Sequence, residues 1–391
     1  MIKRNHPLRE ESDRINAIQS GCCRNLRKLL RFFFFSHFFG VEKRKDICLC
    51  QGDKFTYIQK MTFPGITILG DKPDKGDWKN EGKKMVKSGS YKKLKAWFQL
   101  SRPPFHTVGV LPFVLGTFLA WRLGGLFNGI AFVLGVAAVV LIMLSTYYAG
   151  EYFDYREDEL SQRVFKSRFA GGSGVISAGI LPRRVSLWGS IITLGIAGII
   201  GLGLQYYFLT GPYTLVLGCL GAFPGFFYST RPIRLVERGF GELFIGFCYG
   251  WLPIAVAFYI QCGYIDSVIH WIGIPIGCTI FNVIFLNEYH DYHADKTVGK
   301  NNLLARLGLK KGVILYASLS LLTWAAAALS IAGGVPRRLF YFCLPFTVIS
   351  AWITVMMMKG KYKNRHELEK LCGWNIAVNL GTTASYILSF V

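Results

Sequence analysis

Beyond about residue 100 the apolar residues come in blocks long enough to cross a bilayer, separated by short polar connectors. The blocks lie at roughly 105–121, 128–149, 185–207, 212–229, 243–261, 268–287, 312–334, 339–358 and 372–391. A helix needs about 17 to 25 such residues to span the hydrocarbon core. The pattern therefore predicts an all-α polytopic membrane protein with nine transmembrane helices, arranged as two four-helix groups plus one. Residues 1–90 differ: they are charged, rich in Lys and Gly towards their end, and without sustained periodicity, which predicts a basic, disordered extension. Its one apolar island, Leu29 to Val41, is shorter than a span and broken by Arg31 and His37; Met61 or Met85 would each open a shorter protein. The transmembrane domain is placed at 91–391. It begins with a basic amphipathic stretch, Tyr91 to Trp97, and a proline-set bend at Ser101-Arg102-Pro103-Pro104.

The connectors carry the chemistry. Glu151-Tyr-Phe-Asp154-Tyr-Arg-Glu-Asp158 recurs as Glu288-Tyr-His-Asp291-Tyr-His-Ala-Asp295, so one acidic pattern closes the second helix of each four-helix group, 137 residues apart. That offset reads as internal duplication with both halves in one orientation. On a helix, positions i, i+3 and i+7 fall within a sector of roughly 60°, so each copy aims three carboxylates one way. Two carboxylates about 5 Å apart repel by roughly 3 kcal/mol at an effective dielectric of about 20, so facing sets call for a cation. Oxygen ligands without a His or Cys set favour magnesium, or manganese, over zinc.

Charge then sets the topology. Lys and Arg concentrate in the connectors after the second, fourth, sixth and eighth blocks, while the opposite connectors hold only Arg122, Arg337 and Arg338. Both acidic motifs are thus predicted at the cytoplasmic face of the cytoplasmic membrane. The net charge of +22 and the mean hydropathy of +0.33 are explained by topology and a basic tail rather than by a nucleic-acid partner. The ten cysteines form neither a disulfide framework nor a zinc spacing and are read as reduced thiols. No predicted span carries Asp or Glu near its middle, which argues against an ion-coupled transporter.

After the first motif come Lys166, Arg168 and the flexible Gly171-Gly172-Ser173-Gly174; after the second come Lys296, Gly299, Lys300 and Arg306. Acids for a divalent metal beside bases and glycine amides for phosphate point to a metal-bound diphosphate. Asn282 and Asn287 in the sixth block are read as site-lining groups, since an unpaired amide in the membrane is costly. Tyrosines 147, 148, 152, 155, 228, 289 and 292 are candidates to line a chamber, against the reading that they form an interfacial belt. His290 and His293 are assigned to surface or outer positions.

These segments resemble the UbiA superfamily of intramembrane prenyltransferases, and within it the 1,4-dihydroxy-2-naphthoate polyprenyltransferases. The likeness rests on Asn287 to Lys300, on Gly150 to Asp158, on Phe227-Tyr228-Ser229-Thr230-Arg231-Pro232-Ile233-Arg234, and on Arg238-Gly239-Phe240-Gly241-Glu242. In the first motif, Gly150 and Glu151 stand where the family has Asn and Asp. The resemblance implies a nine-helix bundle around a central cavity, with metal held by Glu151, Asp154, Asp158, Glu288, Asp291 and Asp295. It implies catalysis through Asp154, Asp158, Asp291 and Asp295, with Asp154 or Asp158 as base. Donor and acceptor would be bound by Lys166, Arg168, Tyr228, Arg231, Asn282, Asn287, Lys296 and Lys300. The partners implied are a polyprenyl diphosphate, a small aromatic acceptor and membrane lipid; other acceptors, such as a tetrapyrrole, ribose-phosphate or glycerol-phosphate, and a non-catalytic prenyl-lipid binder remain as alternatives.

Overall fold

A computed structural model describes residues 90–391, except 165, 166 and 170, together with four two-residue strands nearer the N-terminus. The chain divides into two units, 1–85 and 86–391. In the first, Cys50–Gln51 pairs antiparallel with Lys54–Phe55, and Thr62–Phe63 with Ile66–Thr67. The expectation of disorder over 1–90 otherwise falls outside the described residues.

The second unit is helical: α1 (Ser90–Leu100), α2 (Pro103–Gly124), α3 (Gly129–Phe153), α4 (Tyr155–Val164), α5 (Arg183–Leu202), α6 (Thr214–Phe227), α7 (Gly241–Tyr249), α8 (Trp251–Cys262), α9 (Ser267–Val298), α10 (Leu303–Ala332), α11 (Leu339–Met358) and α12 (Arg365–Phe390). All nine apolar blocks read from the sequence are helical. Among the described residues seven helical segments are long and apolar enough to cross a membrane, with α7 and α8 counting as one.

Local chemistry fixes the ends. Pro103 and Pro104 start α2, and the side chains of Asn128, Asp266, Asn302 and Asn364 accept amide hydrogens in the first turns of α3, α9, α10 and α12. α9 has 32 residues, about 48 Å of helix, well beyond the roughly 30 Å hydrocarbon core. Its last turns therefore project past the apolar layer, and they carry the second acidic motif.

The core lies where α2, α8, α9 and α12 meet, around Leu119, Ile254, Phe258, Ile272 and Tyr386, and continues through Phe285, Tyr316, Ile353 and Leu371. Polar pairs lock the same helices. Asn282 Nδ2 donates to Ser320 Oγ at 3.1 Å, Tyr316 donates to Asn375 Oδ1 at 3.0 Å, and Asn379 Nδ2 donates to Thr279 Oγ1 at 2.9 Å. Large apolar side chains such as Trp188, Ile199, Leu321 and Phe340 are exposed, as a lipid-facing perimeter requires.

Candidate active site

Both acidic motifs open into one cavity of about 650 Å³, with carboxylates at one end and apolar residues such as Phe113, Leu204, Leu217 and Ile260 at the other. Glu288, Asp291 and Asp295 lie on the continuous α9 and all reach the cavity, as their spacing predicts. The first motif is not on one helix: α3 ends at Phe153, Asp154 sits at the break with φ −94° and ψ 17°, and Asp158 lies on α4. All three of its acids nevertheless line the same cavity.

Most of these acids already accept hydrogen bonds from the protein. Glu151 accepts from Arg102 Nη2 at 3.1 Å and from the Ser173 amide at 2.5 Å. Asp154 accepts from Ser229 Oγ at 2.5 Å and from Arg234 Nη2 at 2.8 Å, and the same guanidinium group meets Glu157 at 2.8 Å. Asp291 accepts from Ser161 Oγ and from the Gly171 amide at 3.2 Å. Asp295 accepts from Asn302 Nδ2 at 2.9 Å, with Lys300 Nζ 3.5 Å away.

The glycine loop is the bridge between the motifs. Its amides, expected from the sequence to meet an anion, reach Glu151 through Ser173 and Asp291 through Gly171. Gly172 adopts φ +69°, and a Cβ there would stand 2.3 Å from Asp158 Oδ2, so only glycine lets the loop pass over that carboxylate.

Two motif acids lack such donors. Asp158 takes no hydrogen bond from a described residue, and burial, reinforced by Glu151 and Asp154, pushes its carboxyl well above the usual range. Glu288 is 7% exposed with both oxygens buried and without a donor among the described residues, and Asn287 Oδ1 beside it is in the same state. For Lys300, burial opposes the charge, but Asp295 and Asp154 outweigh it and hold the ammonium group well above its ordinary pKa. Gly299, at φ +81°, ends α9 and turns Lys300 back, with the Lys300 amide donating to Asp295 O at 2.9 Å.

Of the other candidates, Tyr228, Asn287 and Lys300 line the cavity. Asn282 does not: it faces α10 and Ser320. Arg231 and Lys296 are exposed, with Lys296 5.1 Å over the Tyr292 ring. Arg168 is exposed and its amide donates to Glu369. Lys166 lies outside the described residues. Among the tyrosines, Tyr147 also lines the cavity, as does Tyr249. Tyr152 and Tyr155 instead stack under Arg183, and Tyr148 packs on Trp97. His290 and His293 border a separate small cavity with Tyr362 and Arg365.

Sequence reasoning did not single out Arg234, Ser161, Ser229 or Asn302 as site residues. The available signal was that Ser229 and Arg234 belong to the Phe227 to Arg234 segment.

Fold and site together define a polytopic membrane enzyme whose acid- and base-lined mouth opens into an apolar chamber. The UbiA prenyltransferase family matches this sequence over residues 110–376. The chain belongs to that family. It is 26% identical over 294 residues to the 1,4-dihydroxy-2-naphthoate octaprenyltransferase of Bacillus subtilis, covering 75% of this chain and 90% of that protein. It is also 26% identical to the 2-carboxy-1,4-naphthoquinone phytyltransferase of Synechocystis, covering 73% and 89%. Among solved structures, a UbiA homologue from Aeropyrum pernix shares the fold, with a TM-score of 0.57 and 18% identity over 73% of this chain and 98% of that one.

Proposed function

We propose that the protein transfers a polyprenyl group from a polyprenyl diphosphate to 1,4-dihydroxy-2-naphthoate, with release of diphosphate. The observation that carries this reading is the convergence of two acidic motifs, with Arg102, Arg234 and Lys300, on the mouth of one apolar chamber. The names of the Bacillus and Synechocystis relatives support a naphthoate-type acceptor.

Magnesium, or manganese, fits the donor set, because the unpartnered buried acceptors at the mouth are hard oxygens: both of Glu288 and Oδ1 of Asn287. Among the described residues no three His, Cys, Asp or Glu side chains stand close enough together to hold a metal ion as they are. The ion would be held by Glu288, Asp291 and Asp295 from α9 and by Glu151, Asp154 and Asp158 from the first motif. Bound to the diphosphate, it supplies Lewis-acid stabilisation of the leaving group.

The chain's own residues do the rest. Lys300, kept charged by its carboxylate neighbours, offsets negative charge on the departing diphosphate. The apolar walls exclude water from the electrophilic allyl group, and the ring faces of Tyr147 and Tyr228 line the chamber beside it. Asp154 is occupied by Ser229 and Arg234, so Asp158, more basic than an ordinary aspartate, takes the acceptor's proton.

The nine crossings comprise the seven long segments plus α6 and α12, with both motifs on the cytoplasmic side of the cytoplasmic membrane. The lysine and arginine bias of the connectors supports that orientation. The test is incubation with magnesium, a labelled polyprenyl diphosphate and 1,4-dihydroxy-2-naphthoate, read by product mass. A prenylated naphthoate is expected. Turnover only with a tetrapyrrole, ribose-phosphate or glycerol-phosphate acceptor, or binding without diphosphate release, overturns the reading.

A further inference from the structure

Glu242 opens α7 at the end of the Arg238 to Glu242 segment, a part of the sequence that the proposed reaction leaves without a role. It is fully buried, at 0% exposure, yet does not line the cavity. One oxygen, Oε1, accepts from the Leu303 amide at 3.1 Å, at the first turn of α10. The other, Oε2, is buried without a donor among the described residues. α7 packs on α9, where a Cβ on Gly246 would stand 3.6 Å from Phe281 Cβ, and the Glu242 carboxylate bears on that of Glu288, which likewise has no donor among the described residues on either oxygen. Two acceptor-only groups thus face each other away from water. Such a juxtaposition is tolerated only when a proton or a cation stands with it.

The backbone holds this arrangement firmly. A Cβ on Gly241 would be 3.0 Å from both Tyr228 Cε2 and Val236 Cα, so α7 begins pressed against the turn that carries Tyr228. On the other side, Leu303 directly follows Asn302, whose side chain donates to Asp295 and also caps α10 through the Ala305 amide at 2.8 Å. Lys300 is the cation whose charge bears on Glu288, and it is directed to Asp295.

We infer that Glu242 is a positioning residue with two actions: it anchors the 300–303 turn against α7, and its negative charge behind Glu288 strengthens divalent-cation binding at the second acidic motif. The inference rests on the metal reading above but not on the identity of the acceptor. The two actions separate by substitution. Glu242→Gln keeps an oxygen for the Leu303 amide and removes the charge; Glu242→Ala removes both; Glu242→Asp keeps the charge.

The experiment is Mn²⁺ titration of the intact purified protein in detergent with inorganic diphosphate present, followed by electron paramagnetic resonance, alongside thermal unfolding. Wild type should bind Mn²⁺. Glu242→Gln should bind at least tenfold more weakly with an unchanged unfolding midpoint, Glu242→Asp should stay within threefold of wild type, and only Glu242→Ala should also lose thermal stability. Mn²⁺ binding by Glu242→Gln equal to wild type overturns the inference and leaves the proposed function standing. Absence of Mn²⁺ binding by wild type overturns the metal reading itself.

Discussion

Replacing Gly172 with alanine should remove activity without unfolding the protein, and a second glycine provides the control. Gly172 and Gly179 have nearly the same backbone, φ +69° and φ +68°, so alanine at either carries the same left-handed penalty of roughly 1–2 kcal/mol. Their surroundings differ. A Cβ at Gly179 meets nothing within 4 Å, whereas at Gly172 it would stand 2.3 Å from Asp158 Oδ2 and 2.8 Å from Asp158 Cγ. An ordinary contact begins near 3.4 Å, so the carboxylate or the loop must retreat by about 1 Å. A displacement of that size at a reacting group costs on the order of 10²-fold in rate, or about 2.7 kcal/mol of transition-state stabilisation. The assay is prenyl transfer under saturating donor, paired with thermal unfolding of both variants in detergent. Both midpoints should fall by similar amounts, and only Gly172→Ala should lose about two orders of magnitude in kcat. Equal activities in the two variants would refute both the placement of Asp158 and the role given to it.

Arg234→Met should destabilise the protein by about 3–5 kcal/mol, because it strands the buried Asp154 and Glu157 carboxylates, and the unfolding midpoint reports it. Asn282→Ala should cost about 1–3 kcal/mol of stability through the lost α9–α10 bond and leave KM unchanged, while Asn287→Ala should raise KM for the donor by about tenfold. For pH, the base must be ionised, and burial raises the pKa of Asp158. Activity should therefore fall on the acid side, with an inflection above the ordinary aspartate value of 3.8, and a kcat/KM profile of Asp158→Asn should lack that inflection.

The second motif was legible because α9 is unbroken, so the arithmetic of 3.6 residues per turn holds from Asn282 to Asp295. That arithmetic also separates the two asparagines. Asn287 lies about 40° from Asp291 around the helix, while Asn282 lies about 180° away, and the structure puts only Asn287 at the cavity. Treating both as site-lining ignored their phase. The first motif was less legible, since neither proline nor glycine marks the break at Asp154. Between Arg231 and Arg234 the sequence offered no choice: a left-handed residue at Arg234, φ 46°, turns the second inward while the first stays exposed. Likewise Lys296 and Lys300 have the same chemistry, and it is the turn at Gly299 that brings Lys300 rather than Lys296 onto Asp295.

The charge at the mouth has a consequence for the order of binding. Glu151, Asp154, Glu157, Asp158, Glu288, Asp291 and Asp295 gather around Arg102, Arg234 and Lys300, so the acids outnumber the described bases that pair with them. A bare diphosphate approaching this cluster meets net repulsion of roughly 3 kcal/mol for each unit-charge pair left uncompensated at about 5 Å and an effective dielectric of about 20. The three cations are already paired with carboxylates, so much of their charge is offset before a diphosphate arrives. The Gly171 and Ser173 amides do not relieve the repulsion either, because they donate to Asp291 and Glu151. Glu288, whose oxygens have no donor among the described residues, and the other motif acids would hold a divalent ion, which would supply the positive charge that a diphosphate needs. Calorimetry of a polyprenyl diphosphate with the purified protein should show binding with magnesium and a loss of at least tenfold in affinity with EDTA. Equal affinity in EDTA would mean that the bases, not a metal, receive the diphosphate, and the role assigned to the paired acidic motifs would fall.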